Sequence, residues 1–375
     1  MNKNQDENRC LAFYNFAEEQ RKIWFWDVRF NALFQGTIDG GVAEPLWGNM
    51  NDETGMDSLY SKVMKCSHKI IGIPMCTDNI LIYDISTKEA KLISVAIQDW
   101  GNKHTLKRGR FWDGVVYGDY LFMIGFWSAK VLKFDIVNEK IVDVIDLYEE
   151  LKIPFEERTL SFKNALAIDG KIWIPSYVKN YIFALDPNNM KYTKIEMKKK
   201  GNGFSDIAYD GEDIWLSPRE RGQFVKWNVQ KNEISLYDNY PAEFHMEDQA
   251  NVSVIKCCNG KVYVFPNKAD KVFSIKKNAD NAEMCVENAF NHYYESLGTS
   301  NEALKYLFVQ KIGEKLYSFC RESKRVLSYD TEKGTLSVLK YTISEEESLR
   351  MSLQRGNAVP EECGSLSLFI KCILG

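Results

Sequence analysis

The segment IWIPSYVKNYIFALD, residues 172–186, consists of two β-rich runs separated by a short polar break. The same fifteen-residue pattern occurs seven times without internal gaps and usually ends in Asp or Asn. Its second position is aromatic in six of the seven copies. The copies span residues 23–37, 70–84, 121–135, 172–186, 214–228, 262–276 and 316–330. Recurrence at a period of this size is the signature of a repeat architecture.

The flanks of each copy complete a four-stranded unit. A turn containing Gly precedes most copies, as in Asp169-Gly170 and Asn259-Gly260, and these pairs are strong hairpin signals. Another β-rich run comes before the turn, and a further run follows each copy, for example residues 193–197. Each repeat is therefore predicted to be an antiparallel meander of four strands.

These meanders predict an all-β fold, a β-propeller of about seven four-stranded antiparallel blades. A single sheet of this size cannot bury both of its apolar faces, whereas radial packing of similar sheets buries both. Six full blades plus a composite blade remain an alternative. Residues 1–375 are predicted to form one domain, with blades at about 10–46, 62–96, 111–147, 161–197, 203–240, 250–287 and 306–341.

Two features at the ends supplement the repeat. Residues 365–374 alternate in polarity and predict a terminal strand that pairs with the first blade and closes the ring. Ser344 and Glu347 fit a capping box for a short helix. The long connection 287–304 is a further candidate helix.

Three consecutive blades carry short oxygen side chains in the same phase, eight residues before the fifteen-residue segment. They are Asp113, Asn164 and Asp206, each two residues after a Phe. Equivalent positions on innermost strands converge near a propeller axis, so these oxygens are candidate ligands for a divalent cation such as Ca²⁺, Mg²⁺, Mn²⁺ or Zn²⁺. The alternative is that they hydrogen-bond nearby backbone amides at the strand starts.

The blade pattern, in which Asp-Gly precedes Ile-Trp-Ile and Asp closes the next strand, resembles the broad propeller superfamily of NHL, virginiamycin B lyase-like and gluconolactonase-like proteins. The resemblance covers about residues 10–341 and implies the fold rather than an activity. The segments beginning at Asn164 and Asp206 are similar to strands that supply metal ligands in gluconolactonase-like enzymes. The resemblance implies that these two residues are ligands and that Asp113 replaces the family's Glu.

Basic residues are concentrated in the loops between the second and third strands. These loops carry ten basic and five acidic side chains in a chain whose net charge is −4. Arg is suited to planar contacts with carboxylate or phosphate, and nearby Trp side chains offer a stacking surface. The predicted ligand-binding residues are Arg110, Trp112, Trp127, Arg158, Lys163, Arg219, Arg221 and Arg325. Solvated turn tips and aromatic packing between blades are the alternatives.

His104 and His245 are predicted to lie in loops leading into innermost strands, where a general base would be useful. No Ser nucleophile elbow, phosphate-binding Gly loop or HExxH motif is present in the sequence. Three functions therefore remain open. The first is a module that binds an anionic small molecule or an acidic protein segment, the second is a metal-assisted hydrolase or a lyase, and the third is a protein-interaction scaffold.

The composition indicates the cellular compartment of the protein and the classes of partner that it binds. The net charge of −4 gives no general attraction to nucleic acid or to an anionic membrane. The first nine residues do not resemble a secretory signal, and no apolar stretch is long enough for a membrane helix. The nine cysteines contain no CxxC pair, which is typical of a reducing compartment. The sequence thus predicts a cytoplasmic protein without a nucleic-acid or membrane partner.

Overall fold

Seven antiparallel sheets of four main strands form the protein. The computed structural model describes residues 9–48, 58–95, 97, 110–126, 128–147, 152, 162–242, 244–269, 271–277, 283–298, 304–306, 308–320 and 323–354. In every sheet the four main strands follow one another along the chain, so among the described residues no blade is assembled from both ends of the sequence. The seven-bladed prediction is confirmed, and the composite blade is not observed.

The first three blades take up the chain from Phe16 to Asp146. Blade 1 consists of β1 (Phe16–Glu19), β2 (Lys22–Asp27), β3 (Ala32–Thr37) and β5 (Glu44–Gly48), with β4 (Gly41–Val42) outside the sheet. Blade 2 consists of β6 (Tyr60–Cys66), β7 (Lys69–Pro74), β8 (Asn79–Asp84) and β9 (Ala90–Ser94). Blade 3 consists of β10 (Phe111–Tyr117), β11 (Tyr120–Gly125), β12 (Lys130–Asp135) and β13 (Lys140–Asp146).

Blades 4 and 5 consist of β14 (Leu166–Ile168), β15 (Lys171–Pro175), β16 (Tyr181–Leu185) and β17 (Tyr192–Glu196); and β18 (Phe204–Tyr209), β19 (Ile214–Pro218), β20 (Phe224–Asn228) and β21 (Glu233–Tyr237). Blades 6 and 7 consist of β22 (Met246–Cys258), β23 (Lys261–Ala269), β24 (Phe273–Lys276) and β25 (Met284–Val286), with β26 (Leu304–Lys305) added to β23; and β27 (Val309–Ile312), β28 (Lys315–Cys320), β29 (Arg325–Asp330) and β30 (Thr335–Leu339).

The fifteen-residue repeat forms the second and third strands of each blade. In blade 4, Ile172 pairs with Leu185 and Ile174 with Phe183 across β15 and β16. The turn before these strands places Asp169 and Gly170 at positive φ, 50° and 73°. Two consecutive residues at positive φ match the tight hairpin turn that Asp-Gly favours, so the turn chemistry read from the sequence sets the strand register.

The hydrophobic core is divided into seven clusters, one between each pair of adjacent blades. Side chains alternate along a strand, so each second strand contributes to two clusters. Ile23 and Phe25 face blade 7, whereas Trp24 and Trp26 face blade 2. The aromatic second position of the repeat always faces the following blade, as Trp173 does toward blade 5. The predicted burial of both faces is confirmed.

The ring closes where the seventh blade meets the first. Strand β31 (Tyr341–Thr342) pairs in parallel with β4, and the Leu11 amide donates to the Tyr341 carbonyl at 2.9 Å. The predicted closing strand at 365–374 lies outside the described residues.

Two helices complete the fold, α1 (Asn288–Ser296) and α2 (Glu345–Gln354). Helix α1 packs Phe290 between blades 6 and 7 and confirms the helix predicted within 287–304. The Glu347 amide donates to Ser344 Oγ at 3.1 Å, which is the serine half of the predicted capping box, while the Glu347 carboxylate pairs with Arg350. None of the helices in the described part of the chain is long and apolar enough to span a membrane.

Candidate functional site

One polar side chain from each blade lines a cavity in the central channel. The cavity has a volume of about 390 Å³, within the range typical of small-molecule sites. Its polar lining comes from the innermost strands or from residues just before them. We call these side chains the channel belt: Asn15, Lys62, Asp113, Asn164, Asp206, Lys256 and Gln310.

The three predicted oxygen ligands lie together in this belt. Asn164 Nδ2 donates to Asp206 Oδ1 at 2.6 Å, and the Ala165 amide donates to Asp113 Oδ2 at 3.3 Å. Asp113 and Asp206 are 8% and 1% exposed. All three side chains line the same cavity, and the two aspartates accept backbone amides, as the alternative predicts.

The belt side chains also join neighbouring blades through backbone amides. Asp206 Oδ2 accepts the Ile255 amide of the next blade at 2.8 Å. Asn15 Oδ1 accepts the Val63 amide at 3.3 Å, and Gln310 Oε1 accepts the Phe16 amide at 3.2 Å. Together with the Asp113 contact, four such bonds cross blade boundaries around the channel. The belt is thus part of what holds the innermost strands in register.

Irregularities in three innermost strands accompany these positions. The pairing register shifts between Tyr60 and Lys62, between Phe111 and Asp113, and between Phe204 and Asp206. A β-bulge re-aims the side chains of the bulged strand. The repeated aromatic-x-polar motif therefore combines a buried aromatic anchor with a polar residue in the channel lining.

The ammonium groups of the cavity have unused hydrogen-bond donors. An ammonium carries three N–H donors. Lys62 Nζ donates to Asp113 Oδ1 at 2.6 Å and to the Gly114 carbonyl at 3.5 Å. Lys256 Nζ likewise uses two donors, toward Asp206 Oδ2 and the Ile255 carbonyl. Lys311 Nζ donates only to the Cys257 carbonyl, at 3.0 Å, and has no carboxylate partner among the described residues.

The cavity consequently has an excess of positive charge. Lys62, Lys256 and Lys311 line it together with two carboxylates, those of Asp113 and Asp206. Because these carboxylates are already paired with Lys62 and Lys256, the charge of Lys311 is the uncompensated one. The arrangement is suited to an anionic group.

A metal ion at the same oxygens would have to displace ammonium groups. Lys62 and Lys256 contact the carboxylates of Asp113 and Asp206 directly. Within the described residues, no cluster of three or more His, Cys, Asp and Glu side chains is arranged to hold a metal ion. The divalent cation inferred from the sequence stays a prediction.

A row of aromatic rings runs from the channel to the blade tips. Phe308 lines the cavity and stacks on Trp112, with ring centroids 5.2 Å apart. Trp112 in turn contacts Phe126 at 4.8 Å, and Phe126 contacts Tyr177 at 6.1 Å. The guanidinium of Arg219 lies over Tyr177, 4.8 Å from its centroid. The predicted rim residues Trp112 and Arg219 are thus on the same face as the channel mouth.

Several predicted basic residues are engaged within the protein. Arg110 is buried and forms an ion pair with Asp78. Arg221 lies over Tyr240 at 5.5 Å, and Arg325 donates to Cys10 Sγ at 3.2 Å. Lys163 is buried, and burial lowers the pKa of its ammonium to about 8 even though nearby Asp206 opposes the change. A role of these four in ligand binding stays a prediction.

Of the two predicted catalytic histidines, only His245 is among the described residues. His245 is exposed and is not among the residues that line it. His104, Trp127 and Arg158 lie outside the described residues. Their predicted roles are therefore not addressed by the geometry.

Sequence reasoning missed four belt residues and Lys311. Phe13-Tyr14-Asn15 and Tyr60-Ser61-Lys62 have the same motif and the same offset from the repeat as the three predicted positions. Asn15 matches the same Phe-x-Asn pattern and could have been found directly, whereas Lys62 requires the pattern to be extended beyond Asp and Asn. Lys256 and Gln310 lie two residues closer to the fifteen-residue repeat than the other belt residues do. To find them, the motif would have to be shifted by two residues, the period at which side chains return to the same face of a strand.

The fold and channel define a seven-bladed β-propeller, and comparison with solved structures agrees. The chain is similar to the selenomethionine-substituted virginiamycin B lyase from Staphylococcus aureus, with TM-score 0.59, 12% identity, and coverage of 84% of this chain and 94% of that chain.

A catalytically inactive form of the same lyase with quinupristin gives TM-score 0.60 at 12% identity, covering 86% and 94% of the two chains. The extracellular domain of a putative one-component system from B. thetaiotaomicron gives TM-score 0.55 at 10% identity, covering 82% of this chain and 37% of that chain. No family model matches the chain, and no curated protein sequence is significantly similar to it. At these identities the similarity extends to the fold alone.

Proposed function

We propose that this propeller is a cytoplasmic binding protein that holds a small organic anion in its central channel. The observation that carries the proposal is Lys311, an ammonium in the cavity lining whose single contact among the described residues is a backbone carbonyl. A ligand carboxylate or phosphate would accept its unused donors in a charge-assisted hydrogen bond, the stronger class of such bonds.

The size of the cavity favours a small molecule over a protein segment. Its volume of about 390 Å³ suits a ligand of modest size. Lys62 and Lys256 line the same cavity, and each uses two of its three donors in contacts with the described residues. Phe308, on the same lining, adds an apolar surface. The seven cysteines in the described residues are free thiols, a usage typical of the cytoplasm.

A thermal-shift screen of the purified protein tests this proposal. The panel contains inorganic phosphate, simple mono- and dicarboxylates, sugar acids, phosphosugars and an acidic peptide. A ligand at 100 times its dissociation constant stabilises the native state by about 2.7 kcal/mol. We expect small anions to raise the melting temperature of the wild type and to have little effect on Lys311→Gln.

A matched control separates the channel charge from overall charge. Lys315→Gln makes the same change in the same blade at a lysine that, like Lys311, is exposed but does not line the cavity, and it should respond as the wild type does. Equal shifts in the wild type and in Lys311→Gln would contradict the proposal. Stabilisation by the acidic peptide alone would replace the small anion by a protein partner.

A further inference from the structure

A second cavity opens at the other end of the channel, at the turns between the first and second strands of blades 5 and 6. It has a volume of about 290 Å³. Tyr209, Cys257 and Lys311 line both this cavity and the central one. The two cavities are therefore adjacent and share part of their walls. We call the second one the vestibule.

The mouth of the vestibule is formed by glycine turns. Gly211 and Gly260 lie in its lining at φ angles of +101° and +71°. A Cβ atom built on either glycine would meet no heavy atom of the described residues within 4 Å. The turns thus border open space.

The opposite mouth is spanned by aromatic rings. Trp112 of blade 3 and Phe308 at the start of blade 7 come from opposite sides of the ring, yet their rings stack at an interplanar angle of 18°. Tyr14, just before blade 1, also stacks on Phe308, with ring centroids 5.4 Å apart. A ligand moving along the axis on that side meets this stack before it reaches the belt.

Three lysines line the vestibule, Lys261, Lys277 and Lys311. Lys261 is paired with Glu287 and Lys277 with Asp210, so Lys311 is again the lysine without a carboxylate partner among the described residues. Burial raises the pKa of the Cys257 thiol to about 12, so this group adds no negative charge at neutral pH. A positive mouth with low-dielectric walls concentrates anions and accelerates their association.

Lys277 is available to a ligand because its partner has other donors. Lys277 Nζ lies 3.2 Å from Asp210 Oδ1. Asp210 Oδ1 also accepts the Glu212 and Asp213 amides, both at 2.9 Å, and Oδ2 accepts Trp215 Nε1 at 2.7 Å. The carboxylate therefore stays hydrogen-bonded when Lys277 turns toward a ligand.

We propose that the ligand enters through the vestibule and is an elongated dianion, with one acid group at Lys311 and the second at Lys277. This inference rests on the proposed anion site and specifies its ligand. Lys311 lines both cavities and defines the inner contact, while Lys277 lines only the vestibule. A monoanion satisfies the inner contact alone, whereas a linear molecule with acid groups at both ends satisfies both.

Calorimetric titration with α,ω-dicarboxylates of increasing length tests the inference. Monocarboxylates of the same lengths serve as reference ligands. In the wild type we expect affinity for dicarboxylates to pass through a maximum at an intermediate length. Lys277→Gln should lower that maximum by about tenfold, the effect of losing roughly one charge-assisted contact, and leave monocarboxylate affinity unchanged. Lys311→Gln should weaken both series, and Lys315→Gln neither.

Association kinetics test the route. Removing a charge at the mouth of a site lowers the association rate and its dependence on salt, so Lys277→Gln should slow dicarboxylate binding at low salt. Trp112→Ala, which removes part of the aromatic stack, should leave that rate unchanged. A faster rate in Trp112→Ala would overturn the entrance, and an equal loss for both ligand series in Lys277→Gln would overturn the dianion. If no carboxylate or phosphate binds the wild type, the proposed anion site itself is wrong.

Discussion

Replacing Asp206 by Ala removes the most heavily used acceptor of the channel belt. Its carboxylate is 1% exposed and accepts from the Ile207 and Ile255 amides, Asn164 Nδ2 and Lys256 Nζ. Losing it leaves the buried Ile255 amide and the Asn164 amide group without their acceptor. Each buried unsatisfied donor costs about 1–3 kcal/mol, so losing the acceptor of two donors should lower the free energy of unfolding by about 2–6 kcal/mol.

Guanidinium titrations followed by tryptophan fluorescence measure this loss. Asp206→Asn keeps the shape but turns one acceptor into a donor, so it should give an intermediate value. Asp119→Ala is the matched control, since Asp119 is exposed and should leave the unfolding free energy unchanged. A loss below about 1 kcal/mol for Asp206→Ala, the level of ordinary surface changes, would refute the view that the belt holds neighbouring blades together.

Three further predictions concern pH, backbone strain and metal ions. Burial raises the pKa of Asp27 to about 6, so between about pH 4 and 6 the folded state binds a proton that the unfolded state releases. The free energy of unfolding should therefore fall by about 3 kcal/mol as pH rises through that window. Asp27→Asn should remove this pH dependence in denaturation curves at pH 4 and 7, and an unchanged pH dependence would contradict the prediction. Gly203→Ala should lower the free energy of unfolding clearly more than Gly118→Ala in the same assay. Both glycines have positive φ, but only a Cβ atom at residue 203 would collide with the Tyr177 carbonyl. Equal losses for the two variants would contradict the collision. Finally, we expect Ca²⁺, Mg²⁺, Mn²⁺ and Zn²⁺ to leave the melting temperature unchanged, because Lys62 and Lys256 are paired with the carboxylates of Asp113 and Asp206. A thermal shift that Asp206→Ala abolishes would instead establish the cation predicted from the sequence.

The fold was predictable because its determinants are local and repeated. The second-position aromatics, such as Trp173, and the Asp-Gly turn at Gly170 act within one blade, and each later copy repeats the signal. The manner of closure was not predictable. Its described part includes the pairing of Tyr341 and Thr342 with Gly41 and Val42, a two-residue contact between distant segments that carries no periodic pattern.

The site was predictable in part. The phase of Asp113, Asn164 and Asp206 placed them in one cavity, because equivalent positions of similar blades meet at the axis. Their hydrogen-bond partners could not be inferred in the same way. Lys256 reaches Asp206 from a strand whose polar position is displaced by two residues, and this displacement is visible only once the strands are paired.

The contiguous composition of every blade has a consequence for how the ring is made during translation. As the ribosome synthesises residues 16 to 339, each sheet obtains all four of its strands in chain order and needs no partner from the distant end. A nascent chain can therefore stack blades one after another as an open arc. The seam between the last and first blades is then the final interface to form, and it is where an incompletely synthesised chain would leave an apolar surface for chaperones to bind.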